Sequence, residues 1–231
     1  MKYLKFFENF TQTQIEGVES TESNPDEKKI YILIGPPAVG KSTWVKNNLS
    51  NQDLHVINRD EIVEEVAEEL GLTYDDMFSV PGEDKKEGDV DDKFGTVIKS
   101  PSWMTWQKLS YDKISEANQE IQIRLDRRIS ESLGKSCVVV DMTNMTKKSR
   151  KGILDKVLAA TGSGYKKIAV DFEFKGFEDV IYSASEKRSR EYKQRGKSKT
   201  ISKQVLNRMF SHYESVDSSE GFDEIIVVPH Y

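Results

Sequence analysis

Residues 34–43 read IGPPAVGKST and come directly after the apolar run Lys29-Ile30-Tyr31-Ile32-Leu33. The run has the β-branched and aromatic composition of a buried strand, and Thr43 to Leu49 can be helical. Few architectures accommodate a strand, a glycine loop and a helix in that order, because the loop must bring backbone N–H groups together at the positive end of the helix. The spacing fits GxxxxGK[ST], with Gly35, Gly40, Lys41 and Ser42 at the defining places. The stretch Gly35, Pro36, Pro37, Ala38, Val39, Gly40, Lys41, Ser42 and Thr43 is therefore expected to cradle the phosphates of ATP. Lys41 would reach the β- and γ-phosphates, and Ser42 would place its hydroxyl on Mg²⁺.

At 231 residues the chain suits one α/β domain with a substantial core. No apolar run approaches the ~18 residues that span a bilayer. In MKYLKFFENF, Glu8 and Asn9 interrupt the apolar residues before a signal-peptide core forms, so the expected location is the cytoplasm, with no membrane partner. The single cysteine, Cys137, excludes an intramolecular disulfide and a cysteine-based zinc site, and its place in Cys137-Val138-Val139-Val140 marks it as a buried strand residue. A net charge of −5 argues against broad adhesion to nucleic acid but permits a local basic cleft for one chain end. Residues 61–92 are strongly acidic, whereas 187–203 hold Lys187, Arg188, Arg190, Lys193, Arg195, Lys197, Lys199 and Lys203. Alone, such a run is a solvated helix face. Beside a triphosphate loop it supplies the cations that phosphoryl transfer requires.

Strand and helix signals alternate from Ile30 onward. Residues 1–28 form an aromatic segment and a polar linker. Apolar composition predicts strands over 54–58, 136–141, 166–174 and 224–228. Helical spacing predicts helices over 60–70, 102–133, 147–161, 177–193 and 202–215. Alternation of this kind implies a parallel sheet covered on both faces. Residues 74–101, with Pro81, Gly82 and Gly88, are too long for an ordinary connection and read as an insertion near the substrate mouth, mobile at its centre. Trp103 and Trp106 suit base stacking or core packing, since they share a helix face.

Ligands of a parallel sheet sit at the carboxyl ends of its strands. The second strand ends in INRD, which delivers Asp60 to that edge at a helix start. There it is either a helix cap or the base that accepts the proton of an attacking hydroxyl. The third strand ends in VVVDMTN, where Asp141 would hold Mg²⁺ through water and Thr143 and Asn144 would bond to substrate or nucleotide. The arginines from 188 to 195 would fold over the triphosphate as a lid.

Taken together, GPPAVGKSTW, INRD, VVVDMTN and the arginine segment followed by SKQVLNRM resemble the kinase domain of the bacteriophage polynucleotide 5′-kinase group, over roughly residues 29–215. The resemblance implies a P-loop NTPase kinase fold, α/β, with a five-stranded mainly parallel sheet and an arginine-rich lid at about 185–203, all within residues 29–231. It implies Asp60 as general base, Lys41 and Ser42 as triphosphate and magnesium contacts, and Arg188 or Arg190 with Arg195 as lid cations. Arg59, Asp141, Thr143 and Asn144 take the acceptor-side positions. The implied cofactors are ATP and Mg²⁺, and the implied partner is a DNA or RNA acceptor, in the host cytoplasm if the chain is phage-encoded. Val63 stands where members of the phage type carry an arginine, and residues 74–101 have no counterpart there. Kinases of hydroxymethylated pyrimidines within DNA, nucleoside or nucleotide kinases, and an NTPase binding module without an acceptor are the alternative readings.

Overall fold

The computed structural model describes residues 27–50, 52–78, 90–91, 96–97 and 101–229, the side chains of 90–111 excepted. The expected N-terminal aromatic segment, the centre of the expected insertion and the side chains of Trp103 and Trp106 lie outside the described residues. Strands β1 (Lys29–Ile34), β2 (Leu54–Ile57), β5 (Cys137–Val140), β6 (Lys166–Phe172) and β7 (Glu224–Val228) form one sheet in the order β2-β5-β1-β6-β7. Every pairing in it is parallel. A separate two-stranded ladder pairs β3 (Val90–Asp91) with β4 (Thr96–Val97).

Among the described residues six helices accompany the sheet: α1 (Lys41–Leu49), α2 (Arg59–Glu69), α3 (Pro101–Ser130), α4 (Lys147–Thr161), α5 (Glu178–Gln194) and α6 (Lys203–Ser211). Because side chains alternate along a strand, β1 divides its apolar residues between two cores. Ile30, Ile32 and Ile34 pack with Ile62, Val63 and Val66 of α2, Ile121 and Leu125 of α3, and Leu154 of α4. Tyr31 and Leu33 face the other way, with Val139, Val170, Phe172 and, from α1, Trp44 and Val45. Cys137 is buried in this second core, as its apolar run implies, and burial pushes its thiol up to about 11. A third cluster, Met145, Phe174 and Ile181 with Met209, Phe210 and Tyr213, fixes α5 and α6 beside the ends of β5 and β6.

At the head of the segment read as an insertion, Tyr74 and Met77 are buried against α2 and α3, on either side of the start of the short 3₁₀ turn Asp76–Phe78. One boundary differs from expectation for a physical reason. The predicted strand ending at residue 58 stops at Ile57, because Asn58 turns its side chain onto the N–H groups of Asp60 and Glu61 and caps α2.

A buried ion pair ties the C-terminal segment to the loop after β5. The Arg150 guanidinium, fully enclosed, donates to both Glu220 carboxylate oxygens at 2.6 and 2.7 Å and to the carbonyl of Asn144 at 3.2 Å. Removing the charge from one partner strands the other in the interior. Glu220→Gln is expected to cost about 3–5 kcal/mol in urea unfolding, whereas the double change Arg150→Met with Glu220→Leu costs less than the single one.

Candidate active site

The sheet order decides the layout of the site. Strand β5 lies between β1 and β2, so three carboxyl-end loops open side by side: the phosphate loop after β1, Asp141 after β5, and Asn58-Arg59-Asp60 after β2. Two backbone bonds lock them together, from Gly35 N to the Thr143 carbonyl at 3.0 Å and from Asp141 N to the Ile57 carbonyl at 3.0 Å.

The loop itself takes conformations that its residue types permit. A Cβ on Gly35 would meet Val39 Cγ1 at 3.0 Å and Phe172 Cβ at 3.1 Å, so this position demands glycine. Gly40, at φ 106°, is the N-cap of α1 and contributes no side-chain bond to the first turn. The N–H groups of that turn are thereby left to an anion, at the positive end of the helix dipole. Ala38 adopts a left-handed φ of 66°, and Val39 packs beneath the loop with Trp44 and Phe174. Lys41 curls over the loop and donates its ammonium to the carbonyls of Gly35 and Pro36, both at 3.0 Å.

Facing the loop are the two acids anticipated from the strand ends. The Ser42 hydroxyl donates to Asp141 Oδ2 at 3.2 Å. A hydroxyl and a carboxylate in contact beside an anion cradle form an all-oxygen donor set of the kind Mg²⁺ takes, with phosphates and water completing its shell. Among the described residues no group of three or more acidic, histidine or cysteine side chains converges as a metal site. Asp60 is half exposed. It is released from capping by Asn58, and its oxygens meet Tyr74 Oη at 3.3 Å and Lys199 Nζ at 3.4 Å. Asp60 and Asp141 both act electrostatically on Lys41, as does Arg188 with the opposite sign.

The remaining anticipated residues separate into groups. Arg188 lies close enough to Lys41 to oppose its charge. Arg190, two residues along α5 and so on another face, is exposed, and Arg195 caps the end of α5 and lines a cleft beside Tyr192. Arg59 acts on Tyr74, whose hydroxyl is raised by burial first and by Asp60 second. Thr143 gives its carbonyl to the phosphate loop. Asn144, buried and at a left-handed φ of 47°, donates its amide to the Leu33 carbonyl at 2.8 Å, which commits that side chain to holding the loop. Asn58, Glu64, Tyr74, Asp75 and Lys199 belong to the site without having been singled out in the sequence. Lys199 stood in the basic run, but nothing in its spacing tied it to Asp60.

A family model described as an AAA domain matches residues 30–216. The chain belongs to the AAA domain family. No curated protein sequence matches it. Solved structures similar to this AAA domain include a gluconokinase from Sinorhizobium meliloti, at 15% identity and TM-score 0.41, covering 89% of this chain and 83% of that one. A sugar kinase from Janibacter sp. is similar at 12% identity and TM-score 0.44, over 87% and 85%. The Pnkp1/Rnl/Hen1 RNA repair complex is similar at 15% identity and TM-score 0.48, over 84% of this chain and 46% of the other.

Burial pulls the Lys41 ammonium down to about 8, against the opposing pull of Asp141 and Asp60. Its cost to stability is present below pH 8 and is relieved as pH climbs from about 8 toward 10.5, where the unfolded chain holds the extra proton. A bound polyphosphate favours the charged form. ATP binding at about pH 9 is therefore expected to draw a proton from solvent, an uptake that shrinks toward pH 7. Calorimetry in buffers of different protonation enthalpy reads this directly, and Lys41→Met removes the pH-dependent part.

Proposed function

We propose that the chain is an ATP-dependent phosphotransferase that moves the γ-phosphoryl group to a hydroxyl of a nucleic acid, most simply a polynucleotide 5′-OH. The observation that carries this reading is the state of Asp60. Its carboxylate stands at the sheet edge within electrostatic reach of Lys41 and has been relieved of capping duty by Asn58. A nucleotide switch has no use for such a group; an acceptor hydroxyl does.

In the reaction, an alcohol enters between Asp60 and the γ-phosphorus. As its oxygen bonds to phosphorus, its proton passes to an Asp60 oxygen, and the bond from phosphorus to the β–γ bridging oxygen breaks to release ADP. Lys41 and Arg188, near enough to act on each other's charge, would neutralise the negative charge that spreads over the moving group and the leaving oxygen. The Ser42 hydroxyl and the Asp141 carboxylate would hold Mg²⁺, which supplies charge neutralisation when bound.

The resemblance to polynucleotide 5′-kinases motivates the nucleic-acid acceptor, and the basic run at 187–203 offers an anion the cations it needs. One observation favours a second acceptor. Val63 is 1% exposed and packed in the core, so its position cannot supply a phosphate contact, and a hydroxymethyl group on a DNA base is the alternative hydroxyl.

Transfer of label from γ-³²P-ATP discriminates among these. Label on oligonucleotides with a free 5′-OH is the expected result; label confined to hydroxymethylated DNA selects the second acceptor. Phosphate released with no labelled nucleic acid, nucleoside or nucleotide would refute the kinase reading. Lys41→Ala and Asp60→Asn are each expected to lower transfer by about 100-fold or more, with ATP binding largely intact in Asp60→Asn.

A further inference from the structure

The segment joining α5 to α6, residues 195–202, crosses back over the start of α2 as a strap. Its middle is held from two sides by one side chain: Asp75 accepts from the Ser198 hydroxyl and, at 2.7 Å, from the Thr200 N–H. Lys199, between them, is forced inward. Its ammonium sits 2.6 Å from Glu64 Oε1, 3.4 Å from Asp60 Oδ2, 4.5 Å from the centre of the Tyr74 ring and 5.6 Å from that of Tyr192. The Lys199 side chain is only 15% exposed, against 53% for Lys197 two residues earlier on the same strap. Such a niche has a cost, since burial disfavours the charge. Asp60, Glu64 and Tyr192 together outweigh that, so the ammonium is held above its ordinary value.

The partners of this niche all lead to Asp60. Tyr74 lies under Lys199 and also donates its hydroxyl to the other oxygen of Asp60. Glu64, one helical turn after Asp60 on α2, takes the shortest contact with Lys199 and a 3.5 Å bond from Tyr192 of α5. The two Asp60 oxygens are thus addressed by two donors at 3.3 and 3.4 Å, while the carboxylate remains 48% exposed on its free side. Contacts of that length leave the oxygens open to a shorter bond from an incoming hydroxyl while restricting the carboxylate's rotation.

We propose that Lys199 is a positioning residue for Asp60, delivered to it by docking of the strap, so that the acceptor side of the site is assembled only when the strap is seated. The inference rests on the phosphotransferase reading for its consequence, but not for the contact itself. Seating the strap brings Arg195 and Lys197 to a cleft of about 350 Å³ between α2, the turn at residues 73–74 and the end of α5. That cleft adjoins Asp60 through Lys199 and Tyr74. An unseated strap would leave ATP binding at the loop intact and Asp60 free to rotate, and misplacing a reacting group by about 1 Å costs on the order of 100-fold in rate.

Steady-state kinetics of Lys199→Met and Lys199→Arg provide the test, with ATP affinity and thermal melting measured alongside. Lys199→Met is expected to lower kcat by about tenfold to 100-fold with KM for ATP and acceptor within about twofold of the wild-type values, and Lys199→Arg is expected to recover most of the loss. An unchanged kcat would overturn the proposal. So would a raised acceptor KM at normal kcat, which would mark a direct contact, or an increased kcat, which would mark a block on the base. A lowered melting temperature with no rescue by arginine would leave only a structural brace. Mass-spectrometric labelling with an amine-reactive reagent tests seating without turnover. Lys199 is expected to label more slowly than Lys197 in the wild-type protein and to lose that protection in Asp75→Asn. Equal labelling in the wild-type protein would overturn the contact. Normal protection in a protein that labels no hydroxyl would refute the phosphotransferase reading while leaving the contact standing.

Discussion

Parallel pairing of β5 between β1 and β2 is the constraint on which everything at the candidate active site depends. A parallel sheet starts and ends all its strands in the same sense, so the residues that follow each strand gather on one rim. Inserting β5 in the middle makes Asp141 the bridge between the anion cradle and Asp60, and it explains why one serine hydroxyl can reach an aspartate 99 residues away. The apolar residues of β1 make that possible by giving the strand two buried faces, so that its end is held by two cores at once.

Around this rim, the supporting contacts are backbone and buried polar bonds more than surface ion pairs. Asn144 reaches back to Leu33, Thr143 accepts from Gly35, and Arg150 carries the support onward to Glu220 and the Ser215 carbonyl. A buried guanidinium held by four hydrogen bonds is rigid in a way a surface pair is not. The loop after β5 therefore inherits its shape from the C-terminal segment, although the two are some 70 residues apart along the chain.

Much of this was legible in the sequence because it rests on local patterns. The glycine spacing identified the loop, the apolar runs identified five strands, and helices over 147–161 and near 60–70 followed from periodicity. What escaped was what depends on side chains distant in sequence. The role of Asn58 as cap was hidden because Asp60 is an equally good capping residue by type, and only the geometry of the turn distinguishes them. The burial of Tyr74 and Met77 was hidden because the polar residues around them mask the apolar contact that they make with α2 and α3. In the sequence Lys199 is one cation among the eight of residues 187–203, and only the strap, by turning it inward, sets it apart.

The order of the strands also acts as a ruler. From β2 to β1 there are two inter-strand steps, each of about 4.8 Å, so roughly 10 Å separates the backbone that carries the acid from the backbone that carries the anion nest. That gap is written in main-chain ladders, which tolerate a change of apolar side chain without altering their spacing. Drift in the surrounding loops can alter what enters the gap, but its width stays constant for as long as the sheet exists.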